Sequence, residues 1–233
     1  MTQISLMDII SQIQQVRDSF YASKDRLIAA HISWDKDKDA RVTLFHKCAN
    51  VLNDVQLGLV FIQFHLTQQH WWKSIAKENI PDHDKKIYID EFVMFMKIGF
   101  LQFVFSSIES SFRIFVKTVD PTACAGGTAE FKSIYAFLFA RFGLQKWEPL
   151  LDLLRCVRNT IHNNGVYFHR LGKNETVAYN GINYSFVIGM PVDFVDWAFL
   201  IGMMKDIDSM LWEVTNHPEL IAAHSIIDPF SIR

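Results

Sequence analysis

The feature that most constrains this chain is one apolar run, Phe92 to Ile108, near its middle. The run is about as long as a membrane span. Lys97, Gln102 and two serines, Ser106 and Ser107, interrupt it. Those interruptions favour a buried central helix over a membrane helix. The surrounding pattern predicts a helix over 87–118, buried on nearly all sides. Such a helix needs a bundle of others to cover it.

The rest of the chain supplies them. Ile9, Ile13, Val16, Phe20 and Leu27 recur at helical spacing, so residues 4–31 read as an amphipathic helix. After WDKDKDA, in which Asp37 or Asp39 is placed to cap the next helix, residues 40–77 contain one glycine and no proline. They predict one long helix, or two with a break near Gly58. ENIPDHDKK reads as a loop, as does DPTACAGGT; the latter has no G-K-[ST] after its glycines and is not a phosphate loop. A helix over 129–142 ends at Gly143. Another runs from about Leu144 to Asn163-Asn164-Gly165, with Pro149 tolerated in its first turn. VYFHR, TVAYN and INYSFV are rich in β-formers, and Asn180-Gly181 is a favoured hairpin turn. They predict a small hairpin insertion over about 166–188, with room for a third strand. Pro191 then opens a last helix to about Asn216. The expected fold is all-α: a helical bundle with a β-hairpin before the last helix, in one domain over 1–233. Its core spans about 88–216 and its N-terminal helical extension 1–77.

Charge and cysteines narrow the function classes. The net charge is -2, whereas a protein that grips long nucleic acid by its phosphates carries a basic surplus. Any nucleic-acid contact is therefore expected to be local. Cys48, Cys124 and Cys156 are odd in number and form no C-x-x-C pair, which signals neither zinc nor a disulfide framework and suits a reducing, cytoplasmic compartment. The N-terminus lacks the pattern of a signal peptide. No H-E-x-x-H, G-x-S-x-G or G-x-G-x-x-G is present, and no cofactor or metal is expected.

One segment, LLDLLRCVRNTIHNNGVY, could carry chemistry. At about 100° per residue, Arg155, Arg158, Asn159 and His162 share one stripe of a helix, and Leu150, Leu153, Leu154, Val157 and Ile161 the opposite one. Histidine can move protons near neutral pH. Arginine can hold a phosphate and stabilise charge as a bond breaks, and asparagine can orient either. That set suits metal-free RNA cleavage, with the 2′-hydroxyl as nucleophile and a cyclic phosphate as product; DNA lacks that hydroxyl and is not expected as a substrate. The alternative is an ordinary solvated helix face ended by an Asn-Gly stop.

An Arg-Asn pair near a histidine, followed by Asn-Gly at the end of a late bundle helix, resembles the HEPN superfamily. The family motif is an arginine, four to six residues, then a histidine. Arg155 and His162 have six residues between them and fit. Arg158-Asn159 matches the family's Arg-polar pair, with only three residues before His162; counted from Arg158, Asn163 stands where the histidine is expected. The resemblance covers about 88–165 and the last helix. It implies a small helical homodimer, in many members a metal-independent RNase of toxin–antitoxin or anti-phage defence systems, with RNA as substrate and an antitoxin or other protein as partner. In that frame His162 is acid and base, Arg155 and Arg158 bind phosphate, and Asn159 orients. Glu109 and Arg113, in SSIESSFR, resemble the charged residues that face the motif in such domains. They equally make a plain i,i+4 ion pair. A catalytically silent dimerisation or partner-binding module is the other expectation. His65 and His70 are wrongly spaced for joint metal ligation. His169-Arg170 can reach the cluster but reads more simply as a strand edge, and QQHWW as packing.

Overall fold

A computed structural model describes residues 5–123, 129–161 and 163–232. His162, Cys124 and the Gly126-Gly127 part of the predicted loop lie outside the described residues. Helix makes up 69% of the structure and strand 6%: eight α-helices among the described residues and one two-stranded hairpin. The all-α bundle with a small hairpin before the last long helix is the fold.

Helix α1 (Leu6–Ala30) is capped by Ser5, which accepts from the Asp8 amide, and buries Ile10, Ile13, Val16, Phe20 and Leu27. It packs along α2 (Ala40–Phe61). Asp39 is the cap of α2, accepting from the Arg41 amide at 3.0 Å. The predicted break near Gly58 is not there. Helix α2 runs past Gly58 into a π-helical turn, Ile62–Leu66, and the chain breaks only before α3 (Gln69–Ala76). Gly58 serves a different purpose: a Cβ there would run into the sulfur of Met96, on the long helix that begins at Asp82. The Trp pair of QHWWK packs as the sequence suggests. Trp71 and Trp72 meet edge to face, Trp72 stacks on Tyr88, and its Nε1 donates to the Leu66 carbonyl.

Helix α4 (Asp82–Val119) starts directly after Pro81, so half of the expected ENIPDHDKK loop is helical. Its C-terminal half is core, with Phe100, Val104, Ile108, Phe112 and Phe115 buried. Its N-terminal half is not buried on all sides. Tyr88, Met94 and Phe95 are exposed there, Phe95 at 71%, and so is Phe103 a little beyond it. Among the described residues α4 is the helix long and apolar enough to cross a membrane, with a window of mean hydropathy 1.4 that is 28% buried. The interruptions are answered by protein groups: Lys97 donates to the Val195 carbonyl at 3.0 Å and Gln102 to Ser106 at 3.1 Å.

Helix α5 (Phe131–Phe142) ends at Gly143, whose φ of 70° is the left-handed cap the sequence predicts. A short 3₁₀ turn leads into α6 (Glu148–Ile161), which packs on α4 and α5. The hairpin is β1 (Glu175–Tyr179) and β2 (Ile182–Phe186), antiparallel, with Tyr179 opposite Ile182. Asn180 and Gly181 turn the chain at φ 49° and 75°. VYFHR forms no third strand: Val166 makes a single bridge to Pro191, and the rest is loop. That bridge holds the chain extended after Pro191, so α7 (Trp197–Thr215) begins later than expected, capped by Asp196. The hairpin lies on α6 and is pinned to α7 by Tyr184, Phe186, Phe194 and Phe199. A last short helix, α8 (Pro218–Ile221), returns beside α4 and α7.

Candidate functional site

The amphipathic pattern of α6 does what its spacing predicts. Leu150, Leu153, Leu154 and Val157 are buried, and Arg155, Arg158 and Asn159 emerge on the other side. They open into a pocket of about 540 Å³. Glu109 and Arg113 reach it from α4, and Lys132 and Glu130 from the start of α5. Phe168, His169, Arg170, Leu171 and Glu175 reach it from the segment leading into the hairpin. Five of the proposed site residues, Arg155, Arg158, Asn159, Glu109 and Arg113, thus line one cavity. Asn163 does not. It sits exposed in the turn after α6, its amide donating to the Thr160 carbonyl. His162 lies outside the described residues.

The two arginines differ. Arg155 is held from outside its own helix: Nη2 donates to both carboxylate oxygens of Glu175 at 3.3 Å. Glu175 also accepts from the Tyr167 hydroxyl at 2.8 Å and the Cys156 thiol at 2.9 Å. Burial works to raise the Glu175 carboxyl, but these two donated bonds and the Arg155 charge outweigh it and hold it below the usual carboxylate range. Burial, reinforced by the carboxylate it faces, pushes the Cys156 thiol far up, so it is an anchor and not a nucleophile. Asp152 lies behind Arg155, taking the Tyr135 hydroxyl at 2.6 Å and Lys132 at 3.0 Å.

Arg158 has no such anchor. Its guanidinium stands 4.9 Å from the centre of the Phe105 ring. Among the described residues it forms no ion pair, and its buried Nε has no hydrogen-bond partner. The Arg155 Nε likewise has no partner among the described residues. The Asn159 amide makes no hydrogen bond to another described residue. A buried donor left open in this way is costly unless something occupies the pocket beside it.

Glu109 does not hold Arg155 or Arg158. It pairs with Arg113 at 2.6 Å, and Arg113 also donates to the Ala129 carbonyl at 3.0 Å. The i,i+4 pair is the outcome, turned toward the same pocket. The carboxylate that anchors Arg155 is Glu175. His169 and Arg170 are not on a strand edge but at the pocket rim. The Leu171 amide donates to His169 Nδ1 at 3.1 Å, so a neutral His169 carries its proton on Nε2, which lies 3.7 Å from Glu175. Nothing local in the sequence marks Glu175; its contact with Arg155 spans a loop and a strand.

Counted by charge, the lining has five basic side chains, Arg113, Lys132, Arg155, Arg158 and Arg170, against Glu109, Glu130 and Glu175. The pocket is therefore basic within a chain of net charge -2. Among the described residues no group of three metal-ligating side chains occurs. An anion with several acceptor oxygens suits this lining best. Compared with known proteins, the chain matches no family model, no curated protein and no solved structure.

Proposed function

We propose that this chain is a HEPN-like protein whose arginine pocket binds the phosphate backbone of RNA and cleaves it without a metal ion, as a toxin or anti-phage effector in the cytoplasm. The observation that carries this reading is Arg158: a pocket-lining guanidinium with no anionic partner among the described residues, and a buried Nε that donates to none of them. Arg158 would grip the non-bridging oxygens, with Arg155, tethered by Glu175, as the second contact. Asn159 would orient the phosphate or the 2′-hydroxyl. His162, by the motif spacing, takes the proton from the 2′-hydroxyl. That oxygen attacks phosphorus, the bond to the 5′-oxygen breaks, and the leaving oxygen takes the proton back. The product is a cyclic phosphate.

The same reading includes a homodimer and a protein partner such as an antitoxin that masks the pocket. The exposed Phe95 and Phe103 of α4 are an apolar face open to a second copy. A silent dimerisation module is the second reading, favoured by one observation. Arg155 already spends its charge on Glu175.

The test is digestion of mixed cellular RNA in EDTA by the wild type, Arg158→Gln and His162→Ala. Losing the proton carrier should slow cleavage by about 10²–10⁴-fold, and losing the phosphate grip by about 10²–10³-fold. Cleavage undiminished in both variants would end the mechanism. A wild type that leaves RNA intact while sedimenting as a dimer would favour the silent module.

A further inference from the structure

Three aspartates are buried among the described residues, and two have a cation in contact. Asp39 pairs with Arg41 at 2.5 Å and Asp228 with Lys47 at 2.5 Å. Asp208 is different. It is 7% exposed, yet no Lys, Arg or His of the described residues lies within ion-pair distance. Its Oδ2 accepts from the Ser19 hydroxyl at 2.5 Å, the Ser23 hydroxyl lies nearby, and its Oδ1 has no hydrogen bond of good geometry among the described residues. Burial pushes its carboxyl above the ordinary range, opposed in part by nearby serine hydroxyls and the Arg26 charge.

This carboxylate lines a groove of about 470 Å³ between α1 and α7, which shares no residue with the arginine pocket. The small side chains of Ser19, Ala22 and Ser23 on α1 and Ser209 on α7 leave the depression open. Arg26 and Trp212 stand beside it. Arg26, the nearby cation, is not turned onto Asp208. Its guanidinium lies over the Trp212 ring, 3.6 Å from the centroid.

We propose that this groove is a binding site for a small organic cation, an ammonium or guanidinium compound, whose charged end meets Asp208 and whose body lies along Ala22 and Trp212. An ionised carboxylate is an acceptor only and needs donors or a cation when removed from water. A bare metal ion is a poor fit, since Asp208 is not part of any group of three metal-ligating side chains among the described residues. The groove has the size of a small-molecule site, about 300–1,000 Å³. The Trp212 ring face is already covered by the Arg26 guanidinium, which leaves the ligand's charge to Asp208. None of this depends on the RNA-cleaving reading.

Isothermal titration of the full chain with agmatine and with spermidine tests it, with glycerol and citrate as neutral and anionic controls. At least one of the two cations should bind with a Kd below about 1 mM, and Asp208→Asn should weaken it at least about tenfold. The amide is near-isosteric and removes a desolvated charge, so this variant should fold and melt no lower than wild type. Ser209→Trp, filling the groove from an exposed position, should abolish binding by a separate route. The proposal fails if neither cation binds at millimolar concentration, or if Asp208→Asn binds as well as wild type. Citrate binding lost in Arg26→Gln would make this an anion site and equally overturn it.

Discussion

Replacing Glu175 by glutamine asks whether the anchor of the arginine pocket works by charge. The side chain keeps its shape, but one oxygen becomes an NH2 donor. In the native protein all its visitors are donors: Arg155 Nη2 at 3.3 Å, the Tyr167 hydroxyl at 2.8 Å and the Cys156 thiol at 2.9 Å. The amide can satisfy Arg155 or the Tyr167–Cys156 pair with its remaining oxygen, and sets a donor against the other. Loss of one charge-assisted bond costs about 1.5–3 kcal/mol, and breaking a fully buried ion pair about 3–5 kcal/mol. The pair is only part-buried, with side chains 16% and 27% exposed, so the lower range applies. The expected loss is about 2 kcal/mol, or roughly 4–8 °C in Tm at this chain length. The folded-state carboxyl is held below its unfolded value, so its contribution is full above the unfolded pKa and vanishes as pH falls through the folded one. Wild type and variant should therefore differ fully near about pH 7, converge below about pH 4, and meet at lower pH. Thermal denaturation followed by circular dichroism across that range reads this out. A gap that stays constant with pH would mean the loss is one of packing, and no gap at all would mean Glu175 does not anchor Arg155.

Two further outcomes are expected. Arg41→Leu should cost about 3–5 kcal/mol, because Arg41 is fully buried, pairs with Asp39 and donates to the Leu220 and Ala223 carbonyls, so one substitution leaves a buried carboxylate without its cation and takes a donor from two carbonyls; an unchanged urea midpoint would refute it. Phe95→Ser with Phe103→Ser should shift a dimer toward monomer in sedimentation equilibrium without lowering Tm, since both rings are exposed; a variant that associates like wild type would clear α4 of that role.

What was legible in the sequence is what repeats locally. Helix α6 declares its buried and polar stripes through spacing alone, and Asn180-Gly181 and Gly143 declare a turn and a cap through backbone conformations that few residues adopt. The start of α7 was not legible, because the chain after Pro191 stays extended through the bonds from Tyr167 to Met190 and from Val192 to Gly165, which are tertiary. Nor was the exposure of the first half of α4. Apolar composition says that a helix prefers burial, not whether this chain has enough partners to cover thirty-eight residues of it. Glu175 escaped for the same reason, and His169, which can reach the cluster, reads in the sequence as a strand edge instead. They join the site through the hairpin's docking on α6, and no periodicity on either segment encodes that.

The overall charge was also a poor guide to the site. A net charge of -2 argues against a surface that tracks long nucleic acid. It does not constrain a pocket in which basic side chains outnumber acidic ones five to three. Within that pocket the two arginines are not equivalent. Arg155 is part of a closed network with Glu175, Tyr167 and Cys156, and its removal disturbs the hairpin as well as the pocket. Among the described residues Arg158 is tied only to a phenylalanine ring, so its removal leaves that network intact. A loss of activity in an Arg155 variant therefore mixes structure with chemistry. A loss in an Arg158 variant that keeps its Tm isolates the anion contact, which makes Arg158 the residue on which the binding role of the pocket turns.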